Sequence, residues 1–125
     1  MNLIAYRGEK FVIELFGEGT KCPTDTFLEG LDVKVQAKAY ALFARLGDTG
    51  HIRNEQKFKH LEGSDQIFEF KPTDQVRLLC FFAPGRRVIV THGFVKKSRR
   101  TPRGEIERAE AWKREFFERS KGGGS

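Results

Sequence analysis

Between Arg86 and Arg103 the chain reads RRVIVTHGFVKKSRRTPR, with seven basic side chains and no acidic one. A run of cations is most often only a solvated face, so its meaning depends on what stands near it. One chemistry such a set can support is RNA cleavage by the ribose 2′-hydroxyl. That reaction needs added negative charge stabilised on the phosphoryl oxygens and two protons handled. Arginine supplies a rigid multi-donor fork for phosphate, and a lysine crowded by other cations loses its proton more readily.

Arg77 is the first candidate. It interrupts the apolar run VRLLCFF, where an arginine must find a carboxylate, a solvent-open cleft or an anionic ligand. Glu69, on the preceding strand-like stretch, could be that carboxylate, and Lys71 shares its face by alternation. A Glu69 salt bridge and a phosphate contact could coexist. His92, near the end of the next strand, titrates close to neutral pH and is read either as a catalytic group or as a structural histidine. Lys96 and Lys97 follow that strand and could reach the same face. Arg99, Arg100 and Arg103 read as contacts to backbone phosphates or to a partner protein, or as plain solvated charge. A second basic set, His51, Arg53, Lys57, Lys59 and His60, could hold an RNA strand, although spacing alone does not place it beside Arg77.

The elements that must position these groups follow from hydrophobic patterning. MNLIAYRGEKFVIELF predicts two strands around a polar turn, and FLEGL a short helix. Apolar residues at 35, 39, 42, 43 and 46 predict a helix from about Val33 to Leu46, capped by Asp32 and ended by Gly47. Residues 47–65 read as a loop with one short regular piece. Strands follow at about 66–71, 76–83 and 87–94, joined by short connections suited to an antiparallel meander, the last of them an APGR turn. A final helix is expected from Pro102 to about Arg119, with Thr101 as its cap and Trp112 on its packing side. The fold class is therefore α+β: a compact domain over residues 1–119, with a mainly antiparallel sheet, two N-terminal helices and one C-terminal helix. Residues 120–125 read as a flexible tail whose GGGS resembles a linker or tag remnant.

Composition sets the outer limits. A chain of 125 residues with 12 phenylalanines can enclose a single core. The net charge is +6, concentrated after residue 50, which favours a polyanionic partner. No signal-peptide pattern and no run of 18 apolar residues is present, so a cytoplasmic protein with no membrane partner is expected. Cys22 and Cys80 lack metal-ligand spacing, and Cys80 reads as a buried thiol. There is no Walker loop, dinucleotide fingerprint, zinc-helix motif or nucleophile elbow. Nothing calls for a metal or organic cofactor.

The succession of VRLLCFF, a PG hairpin and VIVTHGFVKKSRRTPRGEIERAEAW resembles the phage-derived HigB-like toxins of the RelE superfamily. GFVKK followed by TPRGEIERA is its most specific part, and the likeness fades toward the N-terminus. The resemblance implies a RelE-like fold and the toxin role of a type II toxin-antitoxin system, with mRNA cleaved at the ribosome. It implies a helix-turn-helix antitoxin as partner. It also maps a phosphate-contacting arginine onto Arg77 and an important post-strand cation onto Lys96, with Lys97 beside it. Lys71 resembles a basic position that follows Glu69 and Phe70. A non-catalytic nucleic-acid-binding module and a domain that receives an acidic protein are the alternative readings.

Overall fold

The computed structural model describes residues 2–123. Six strands and three helices follow in the order β1 (Leu3–Arg7), β2 (Val12–Leu15), α1 (Pro23–Glu29), α2 (Val33–Thr49), β3 (Phe58–His60), β4 (Phe68–Phe70), β5 (Val76–Ala83), β6 (Arg87–Val95) and α3 (Arg103–Gly123). They build one sheet of order β1-β2-β6-β5-β4-β3. All neighbours are antiparallel except β2 and β6, which run parallel. The expected α+β architecture, with helices from both ends of the chain on a mostly antiparallel sheet, is what forms. No helix among the described residues is long and apolar enough to cross a membrane.

Alternation along β5 divides the core. Leu78 and Cys80 face α1 and α2 with Ile13, Leu15, Phe43, Leu46 and Phe70. Leu79 and Phe81 face the other way with Ile89, Phe94, Ile106, Ala109 and Phe116, beneath α3. Burying each face removes a row of branched and aromatic side chains from water, worth about 1.5–3 kcal/mol per residue. Strand β6 does not alternate throughout. Leu79 pairs with His92 while Cys80 pairs with Val90, which makes Thr91 the extra residue of a β-bulge. The bulge shifts the period by one, so that His92 and Phe94 join Ile89 on the α3 face.

Several element ends differ from expectation for local reasons. Helix α1 starts earlier, because Pro23 fits the first helical position. Asp32 does cap α2, its carboxylate accepting from the Lys34 amide at 2.9 Å. The helix passes through Gly47 and stops at Gly50, whose φ of 85° is the left-handed conformation that glycine adopts without strain. Gly47 serves a different purpose: its carbonyl accepts from the amides of Lys10 and Phe11 at 2.7 and 2.9 Å, docking the β1–β2 turn on the helix. Helix α3 continues to Gly123 instead of ending near Arg119, so residues 120–123 of the expected tail are helical. Residues 124 and 125 lie outside the described residues.

Candidate functional site

A cleft of about 690 Å³ opens on the α3 face, where the ends of β3, β4 and β5 meet the segment that links β6 to α3. The sheet contributes Lys59, Glu69, Lys71 and Arg77, and the linking segment contributes Lys96, Arg99, Arg100 and Thr101. Arg103, from the first turn of α3, completes seven cations set against two carboxylates, Glu69 and Glu62. Register explains the convergence. Lys59 lies opposite Glu69, Glu69 opposite Leu79, and Arg77 is one alternation from Leu79 on the same face. The Lys96 amide donates to the Gln75 carbonyl at 2.7 Å, which prolongs the β5–β6 pairing by one residue and holds Lys96 at the cleft. Its ammonium then donates to the Arg99 carbonyl at 2.7 Å, curling the segment.

Arg77 and Glu69 form the floor. Arg77 is 7% exposed and Glu69 1%. Arg77 donates from Nη1 to Glu69 Oε1 at 3.1 Å and from Nη2 to the Asp74 carbonyl at 2.6 Å, leaving Nε buried without a partner. The second carboxylate oxygen of Glu69 accepts from the Thr101 hydroxyl at 2.6 Å. Arg77 is therefore ion-paired to Glu69, as one of its readings expected, and it also lines the cleft. Thr101 does not cap α3. Its hydroxyl is spent on Glu69, and the carbonyl of Pro102 accepts the first helical bonds instead. A Thr-Pro pair ahead of a helix reads locally as a cap, so nothing local to the sequence points to this long-range bond.

Lys71 is half-buried among these cations. Burial chiefly, and then Arg77, push its pKa below the usual lysine value; Lys59 and Lys96 add to this and Glu69 opposes it.

His92 is not part of the cleft. The bulge at Thr91 turns it under α3, where it is 2% exposed and packs edge-on against Trp112. Its Nε2 lies 3.0 Å from Glu105 Oε1 and its Nδ1 3.1 Å from the Thr91 hydroxyl. Burial holds its pKa below the ordinary imidazole value, outweighing the attraction of Glu105. The neutral ring fits these partners, with Nε2–H donating to Glu105 and Nδ1 accepting from Thr91. His92 is thus a structural tie between β6 and α3. Lys97 is exposed and does not line the cleft. Lys57 is also exposed, and its tie to this region is its carbonyl, which accepts from the Lys71 amide at 2.8 Å. Of the second basic set only Lys59 reaches the cleft; His51, Arg53 and His60 line a separate pocket that Lys59 also borders.

What the fold and site define is a small α+β domain with one strongly cationic cleft built around a buried Arg–Glu pair. The chain belongs to the family of phage-derived Gp49-like proteins (DUF891), which it matches over residues 26–114, a span that holds every cleft residue. No curated protein matches the chain.

Proposed function

We propose that the protein is a ribosome-dependent endoribonuclease, the toxin of a type II toxin-antitoxin pair in the cytoplasm, with a RelE-like fold of the HigB type. The observation that carries this reading is the convergence of Lys59, Lys71, Arg77 and Lys96 on one open cleft. In the proposed reaction the 2′-oxygen bonds to phosphorus as the bond to the 5′-oxygen breaks, leaving a 2′,3′-cyclic phosphate and a 5′-hydroxyl. Lys96 and the Arg77 guanidinium stabilise the charge on the phosphoryl oxygens. Lys71, with its lowered pKa, gives a proton to the departing 5′-oxygen. Glu69 has both oxygens committed and positions Arg77 rather than taking the 2′-proton. No histidine is among the residues that line the cleft, and in this proposal the acceptor of the 2′-proton is assigned to the ribosome. A helix-turn-helix antitoxin would be the natural partner.

The test is mapping of message ends in a purified translation extract. Cuts that need both this protein and ribosomes are expected, and Arg77→Met with Lys96→Met should lower the cleavage rate more than RNA affinity. An extract with intact ribosomes and no new ends would refute the reading. One feature favours a non-catalytic RNA-binding module instead: the terminal nitrogens of Arg77 already have protein partners. On that reading the double variant lowers only a salt-sensitive affinity.

A further inference from the structure

The cationic cleft contains no aromatic side chain among the described residues that line it, so it can grip phosphate but offers no ring on which a base could stack. A second cavity, of about 270 Å³, lies around the β3 edge on the α2 face of the sheet and differs in chemistry. Its walls include the rings of Phe58, Phe68 and Phe82, with His60, His51 and Arg53 beside them. Phe68 and Phe82 are only partly buried, and their centroids lie 5.0 Å apart at 90°, making an aromatic corner. His60 stands edge-on to Phe68 at 5.1 Å, and its Nε2 is buried without a partner. An orphaned ring nitrogen in an aromatic pocket is costly unless something supplies its hydrogen bond. Lys59 borders both cavities from the exposed edge strand β3.

We infer that this pocket is a nucleobase subsite, in which a base of single-stranded RNA stacks in the Phe68–Phe82 corner and offers its polar edge to His60. The inference deepens the proposed function and rests on it. The strand crosses the sheet edge at Lys59, which neutralises the phosphate at the turn, while Arg53 attracts the flanking backbone. Stacking on rings and cationic contact to the backbone are together how single strands are held. The volume falls below the roughly 300 Å³ at which pockets for drug-sized ligands begin, so it takes a single heterocycle. A duplex keeps its bases paired and could not deliver one around the edge.

The test is an NMR titration of the full chain with two probes, a single-stranded hexaribonucleotide and inorganic tripolyphosphate. The hexaribonucleotide should move the resonances of His60, Phe68 and Phe82 together with those of Lys71 and Lys96. Tripolyphosphate should move only the cleft. Phe82→Leu should weaken the hexaribonucleotide by roughly tenfold, the effect of one stacked base, and leave tripolyphosphate affinity unchanged. RNA that shifts the cleft and not the pocket overturns the subsite and leaves the proposed function standing. Tripolyphosphate that shifts His60 as strongly as RNA does also overturns it, since the pocket would then be an anion patch. RNA that shifts neither region overturns the proposed function and the subsite with it. The unaltered protein decides between these outcomes even if Phe82→Leu fails to fold.

Discussion

Replacing Thr101 by valine isolates the contact that joins the basic segment to the sheet. Valine keeps the shape and removes the hydroxyl that donates at 2.6 Å to Glu69, a carboxylate 1% exposed. Hydrogen bonds to charged groups contribute about 1.5–3 kcal/mol, and the loss leaves a buried carboxylate oxygen without its donor. We expect destabilisation of about 2 kcal/mol, which for a chain of this size lowers Tm by roughly 8 °C. Thr101→Ser should restore most of it. Glu69→Ala should cost more, about 3–5 kcal/mol, because it leaves the Arg77 charge buried and uncompensated. The assay is urea unfolding, read as a shift of the midpoint at constant slope. Under the proposed function Thr101→Val should also weaken RNA binding, since the segment that carries Lys96, Arg99 and Arg100 loses its tie. An unchanged midpoint in Thr101→Val, or a Thr101→Ser variant no more stable than the valine, would refute the reasoning.

Gly8→Ala should destabilise the protein by about 3 kcal/mol or more, because the new Cβ would overlap the backbone of Gly47 in α2, which cannot rotate away as a side chain can; the thermal midpoint measures this. His92 predicts a pH dependence. Its folded pKa lies below the unfolded value, so the unfolded state binds more protons as pH drops, and the stability that depends on neutral His92 is fully present above about pH 6.5 and lost below it. His92→Gln should flatten the change in denaturant midpoint between pH 7.5 and 5.5; a profile as steep as that of the parent would sink the idea.

The parts of the fold legible in the sequence are those set by local pattern. The α2 period, its Asp32 cap and the β5–β6 hairpin all appear at or near the expected positions. What could not be read are the features set by distant partners. A bulge inserts one residue without any composition cue, and that single insertion moved His92 onto the α3 face, where the helix covers it, so that of its two readings the structural one describes its place. Gly47 looked like a helix stop because its role as acceptor for the β1–β2 turn depends on a chain segment 36 or 37 residues away. In the candidate site, Arg77, Glu69 and Lys71 were legible because a charge in an apolar strand demands a partner. Lys59 could be brought to the cleft only by the β3–β4 pairing, which a three-residue strand hardly announces.

The buried pair also bears on where the positive field of the cleft originates. Glu69 largely cancels the charge of Arg77, so a polyanion approaching from solvent meets mainly Lys59, Lys71, Lys96 and the three arginines of the linking segment and helix start. Under the proposed function these cations draw the strand in, while the pair fixes a polar floor beneath Lys71. Glu69 sits at the balance point of the two, since it holds Arg77 in place and also opposes the depression of the Lys71 pKa. Neutralising Glu69 would then loosen the floor and drive Lys71 further toward its uncharged form. Under the proposed reaction that change reduces the fraction able to donate to the 5′-oxygen, so the pH at which cleavage falls off should move down with Glu69→Gln and stay in place with Thr101→Val.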